Sequence, residues 1–80
     1  MAAEAQPLTS LQIGADAIVS EIKLSPEQRA RLLEMGLLVG TPFRLIRFAP
    51  MGDPVEIKVR GYHLTLRRHD AEQIMVRASQ

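Results

Sequence analysis

The side chains able to do chemistry in this chain form a short roster. There are two histidines, four serines, nine carboxylates and no cysteine. Without cysteine there is no disulfide, no thiolate ligand and no thiol nucleophile. His63 and His69 are the only imidazoles, and His69 stands close to Asp70 and Glu72. That trio is the one local candidate for holding a divalent transition metal. A metal centre needs three or four converging N, O or S ligands. Nothing here recurs at ligand spacing, so solvated side chains are the favoured reading and no cofactor is expected. Ser10, Ser20, Ser25 and Ser79 have no assignable His–Asp constellation. Glu56 and Asp70 do not make a recognisable acid–base pair. Gly36, Gly40, Gly52 and Gly61 open no strand–glycine loop–helix unit, and no Lys-Ser or Lys-Thr follows them. The expectation is a protein that is not an enzyme.

What remains is recognition. In Pro50-Met51-Gly52-Asp53-Pro54, Met51 sits at a turn tip between Pro50 and Gly52, where an exposed thioether makes an adaptable contact. Asp53 is expected to accept hydrogen bonds from amides of its own loop. A loop held rigid in this way is the better recognition surface. Leu37, Leu38 and Val39 follow one another, and three adjacent apolar side chains cannot easily all face one core. They either plug the end of the fold or form an apolar edge that meets a partner or a second copy. The candidate partner-binding residues are therefore Leu37, Leu38, Pro50, Met51, Asp53 and Pro54. Arg60, Arg67 and Arg68 form the basic element of residues 41–80, which carry a net charge of +3 against −2 for residues 1–40. Nucleic-acid binding would want more cations and more aromatic platforms than Phe43, Phe48 and Tyr62 provide. A solvated face, or a patch complementary to an acidic protein, is the stronger reading.

These residues must be positioned by a small scaffold. The chain has 80 residues, 46% hydrophobic, which suits one thin-cored domain. Residues 1–9 lack periodicity and read as a flexible end, with Leu8 as the first residue to dock. A strand is expected over 15–22. Ser25-Pro26-Glu27-Gln28 has the signature of a helix start, with a hydroxyl cap, proline at the first helical position and a glutamine to complete a capping box. The helix is expected over 26–35, with Leu32, Leu33 and Met35 as its apolar stripe and Gly36 as its stop. Strands follow over 43–49, 55–59 and 63–67, then a helical turn over 69–73. A last strand covers 74–76, and the chain frays over 78–80. The whole reads as mainly β with one short helix, about five strands in a small, partly open barrel spanning 10–77. Open strand edges make a homo-oligomer plausible. No stretch approaches the roughly 18 to 20 apolar residues of a membrane span. Met1-Ala2-Ala3-Glu4 lacks the cationic and apolar regions of a secretion signal, so the expected location is the cytosol.

Three segments carry a family resemblance. The run from Arg31 to Thr41, with Leu32-Leu33-Glu34-Met35-Gly36 and Gly40, resembles the LxxLGxxxG element of the FeoA family. Ala49-Pro50-Met51-Gly52-Asp53-Pro54 is similar to that family's aPxGDP loop. Arg60-Gly61, Leu64, Leu66-Arg67, Ala71, Ile74 and Val76 match its rGxxlxLRxxxAxxIxV ending. One departure is Met35 before Gly36 where the family has leucine, a volume-conserving swap. The resemblance implies an SH3-like barrel and no enzymatic activity. It also implies an accessory role in bacterial ferrous-iron uptake, through contact with the cytosolic GTP-binding part of FeoB, a membrane permease. A related barrel ends DtxR-type metal-dependent repressors. That keeps open a metal-responsive module using His69, Asp70 and Glu72. With no winged-helix segment ahead of the barrel, a complete repressor is not expected. A small nucleic-acid-binding barrel using Arg60, Arg67 and Arg68 is the other alternative.

Overall fold

Val55, Ile57 and Val59 alternate with Glu56, Lys58 and Arg60, and the alternation places three β-branched side chains on one face of a strand. In the computed structural model, which describes residues 4–79, all three are buried in strand β4 (Val55–Val59). The remaining elements are β1 (Gln6–Pro7), a 3₁₀ turn (Leu8–Ser10), β2 (Asp16–Ile22), α1 (Pro26–Glu34), β3 (Pro42–Phe48), β5 (Tyr62–Leu66), α2 (Arg68–Glu72) and β6 (Ile74–Ala78). The six strands form one antiparallel sheet in the order β1-β6-β2-β3-β4-β5. The register slips between Val19 and Glu21 in β2 and between Leu45 and Arg47 in β3. Each slip adds local twist and bends the sheet around the core. The slip in β2 also changes which residues face inward. Ala17 and Val19 point in, and so does Ile22, three residues on rather than two. That is why strict alternation fails in this segment of the sequence.

The core is a single cluster drawn from every strand from β2 to β6, with Leu8, Leu11, Leu32, Leu37 and Ala71 closing it. Each fully buried Leu, Ile or Val contributes about 1.5–3 kcal/mol of transfer free energy. Helix α1 begins as the sequence predicts. Ser25 Oγ accepts from the Gln28 amide at 3.3 Å, and the Gln28 side chain reaches back to the Ser25 amide. It ends in a Schellman motif: the Gly36 amide donates to the Leu33 carbonyl and the Leu37 amide to the Leu32 carbonyl, both at 2.9 Å. Gly36 has φ +92, the left-handed conformation that this stop requires.

Several expectations are corrected. There are six strands rather than about five, because the segment read as a flexible end contributes β1, paired with Val76 and Met75 of β6. Leu8 lies in the core with no exposed surface, so of the expected loose end residues 6–9 belong to the fold; residues 1–3 lie outside the described residues. At the other terminus β6 runs to Ala78, and the Ser79 amide donates to the Asp16 carbonyl at 2.9 Å; Gln80 lies outside the described residues. Leu33 was expected on the buried stripe and is 57% exposed. Leu32 and Met35, three residues apart, share the inward face, and Leu33 lies about 100° further round the helix. No helix among the described residues is long and apolar enough to cross a membrane.

Candidate functional site

The 50–54 loop joins β3 to β4 and closes on itself through two backbone bonds. The Gly52 amide donates to the Ala49 carbonyl at 2.7 Å, and the Ala49 amide to the Pro54 carbonyl at 2.9 Å. Asp53 does not cap its own loop, as the turn chemistry suggested. Its Oδ1 accepts from the amide of Arg68, the first residue of α2, at 2.9 Å. That carboxylate satisfies an amide that the helix itself cannot. The loop is therefore fastened to α2. Met51 stands at its tip with 92% of its surface exposed, flanked by exposed Pro50, and Pro54 is exposed at the loop's end.

The 37–39 link divides between the two roles weighed for it. Leu37 is fully buried, so it takes the core-plugging role and presents no exposed edge of its own. It is the residue that follows the αL glycine of the Schellman motif, and it packs inward as that position does. Leu38 and Val39 are 47% and 52% exposed. The link is fixed by the Leu38 amide donating to Thr41 Oγ1 at 3.1 Å and by the Gly40 amide donating to the Val19 carbonyl at 2.8 Å. Between the link and α1 lies a groove of about 490 Å³; Ile22, Pro26, Ala30 and Leu33 line it with the link residues Leu37, Leu38 and Val39, and Arg29 is part of its wall. Leu33 was not selected from the sequence as a contact residue, and Val39 was weighed with Leu37 and Leu38 as an apolar edge without being named among the candidates. The cue was available: Leu33 is off the Leu32–Met35 face and so has no core to enter.

The cationic residues do not assemble. Arg60 and Arg67 bracket β5 at opposite ends, roughly 20 Å apart at the rise of an extended strand. Arg68 is engaged within the molecule: Nη1 donates to the Gly52 carbonyl at 3.2 Å, Nε lies 3.5 Å from Glu72 Oε2, and Cζ sits 5.8 Å from the centre of the Phe48 ring. The three arginines thus make no continuous track for a phosphate backbone. The His69 cluster is also broken up. His69 Nδ1 lies 3.7 Å from Asp70 Oδ1, but Glu72 is turned to Arg68. Among the described residues no group of three or more His, Asp or Glu is placed to hold a metal ion. One charge pair is well formed. Asp16 and Arg44 face each other across β2 and β3, with Nε to Oδ1 at 2.8 Å and Nη2 to Oδ2 at 3.3 Å. The hydrogen bond from Arg44, helped by its charge, holds the Asp16 carboxyl below its ordinary value of 3.8.

Among the exposed apolar side chains, Met51 stands at the tethered loop tip and Leu33, Leu38 and Val39 at the groove, while Ile13 and Ile18 are exposed outside both. Comparison with known proteins gives these features a setting. The family model described as the FeoA domain matches residues 6–78. A Porphyromonas gingivalis protein described as a Fe(2+) transport protein A/Fe(2+) transporter FeoB fusion is 35% identical over 69 residues, 86% of this chain. The chain spans only 8% of that protein's length. The solution structure of FeoA protein from Chlorobium tepidum is 39% identical and superimposes with a TM-score of 0.88, over 94% of this chain and 71% of that one. The manganese regulator SloR shares the fold over 92% of this chain and 34% of its own, with a TM-score of 0.81 at 15% identity.

Proposed function

Since this chain belongs to the FeoA domain family, we propose that it is a non-enzymatic accessory protein of ferrous-iron uptake that works in the cytosol by docking on the GTP-binding part of a FeoB-type permease. The observation that carries this reading is the fusion protein, in which a segment similar to nearly all of this chain is joined to a Fe(2+) transporter. Joining two modules in one polypeptide raises their effective concentration to about the millimolar range, so a weak contact suffices there. A separate chain must supply the affinity through its own surface. The surface suited to that is apolar, exposed and already rigid: Met51 at the loop tip, and Leu33, Leu38 and Val39 around the groove. Apolar anchors entering pockets dominate protein interfaces, while their polar surroundings set register. Docking changes the permease's GTP cycle or gate only if it binds one of its states more tightly than another. The reading requires no metal held by this chain.

The test is calorimetric titration of the soluble cytosolic domain of a FeoB-type permease from the same organism. Met51→Ser and Leu38→Ser are expected to weaken binding by roughly tenfold each, as anchors of about 1–2 kcal/mol do, with thermal unfolding unchanged. Wild-type affinity in both variants would refute the assignment of these two surfaces.

A further inference from the structure

Arg68 opens α2, yet most of its contacts lie in or beside the 50–54 loop. Its amide donates to Asp53 Oδ1 and its Nη1 to the Gly52 carbonyl, on either side of one peptide unit. Its Cζ lies over the ring of Phe48, at the end of β3 where the loop departs. Glu72, one helical turn on, holds Nε at 3.5 Å and keeps the side chain in that orientation. Gly52 is where the arginine comes closest to the loop backbone: a Cβ built there would meet Nη1 at 3.3 Å. The residue between these contacts and solvent is Met51, which touches almost nothing and is 92% exposed.

We infer that Arg68 is a positioning residue for recognition: it pre-orders the loop so that Met51 is presented as a fixed apolar anchor, and with Arg67 it suits this surface to an apolar pocket with an acidic rim on a partner protein. Only a planar fork can bond a carbonyl, pair with a carboxylate and cover an aromatic ring at once, and lysine has no such plane. Fixing the loop before binding removes an ordering cost that the complex would otherwise bear. Arg67, next to Arg68 in the chain, is exposed and in no ion pair among the described residues, a free cation that an acidic rim would complement. The recognition half of the inference rests on the docking reading. The ordering of Met51 is measurable without a partner.

The experiment compares wild type, Arg68→Ala and Arg68→Lys by ¹⁵N relaxation, and titrates each with the soluble cytosolic domain of a FeoB-type permease. The backbone bond from the Arg68 amide to Asp53 survives both substitutions, so α2 is expected to stay folded. The Met51 and Gly52 amides are expected to fall from order parameters near about 0.85 to below about 0.6 in both variants, with Kd rising roughly tenfold. Raised salt should weaken wild-type binding through the screened rim charges. Unchanged order at Met51 in both variants would overturn the positioning role, even where wild type binds well. Full recovery by lysine would overturn it too, since charge alone would then suffice. Lost order with unchanged Kd, or a salt-independent Kd, would overturn the recognition role or the acidic rim respectively. A wild type that binds nothing, with a loop that still loosens, would overturn the recognition role and the docking reading while leaving the staple in place.

Discussion

Neighbouring residues of the same type do different work in this chain, and the clearest case is Leu37 against Leu38. Leu37 is sealed in the core, and Leu38 is half in solvent. Leu37→Ala is expected to cost about 2–5 kcal/mol, the usual range for a buried leucine that leaves a cavity. Leu38→Ala should move stability by less than about 0.5 kcal/mol, as exposed substitutions do. Urea unfolding of the two variants checks this, and equal losses would contradict the division. Asp16 gives a second test at this scale. Its folded carboxyl titrates below 3.8 because Arg44 donates to it. A depressed folded value means that the pair's contribution is present above about pH 3.8 and is lost as pH falls through the lower folded value. Both side chains are well exposed, so the contribution is small and screened by salt. A carbon-detected NMR titration should show Asp16 moving back toward 3.8 in Arg44→Gln. An unmoved titration would mean that Arg44 is not the cause.

The elements differ in how far local sequence determines them. The start of α1 is written within four residues, Ser25 to Gln28, and β4 within five alternating ones. Both are local signals, and both elements form where they point. The 50–54 loop is legible too, as a turn with Met51 at its tip. The less legible parts depend on distant partners. β1 is only two residues long and exists because β6, almost seventy residues away, pairs with it. Arg68 reads as one more surface cation until Phe48, Gly52 and Asp53 are brought against it from 15 to 20 positions earlier. Leu37 was readable in principle, since the residue after an αL glycine commonly packs back on the helix's last turn. Read only as the first of three apolar residues, it leaves the core plug and the exposed edge equally open. The same helix end carries a prediction. Gly36 holds φ +92, and a Cβ there would collide with the Tyr62 hydroxyl, which donates to the Met35 carbonyl at 2.6 Å. Gly36→Ala should therefore destabilise by more than the roughly 1–2 kcal/mol of left-handed strain alone. Adding Tyr62→Phe, which removes the hydroxyl, should recover part of that loss. Full tolerance of the alanine in thermal melts would contradict this account of how α1 ends.

At the scale of the whole molecule, six strands, two short helices and a tethered loop leave Met51 and the Leu33, Leu38 and Val39 groove among the apolar surfaces in solvent. The core spans the sheet, so the rigidity of the loop and groove is a property of the entire fold. That arrangement supports the docking reading proposed above. The family assignment and the fusion relative say which contact to look for. The measurement that tests this most directly is an NMR titration of ¹⁵N-labelled protein with the soluble cytosolic domain of a FeoB-type permease from the same organism. The account predicts shifts concentrated at Met51 and Gly52 and at Leu33, Leu38 and Val39, with Arg60 unmoved. Shifts confined to other faces, or a spectrum unchanged at saturating concentrations, would contradict it.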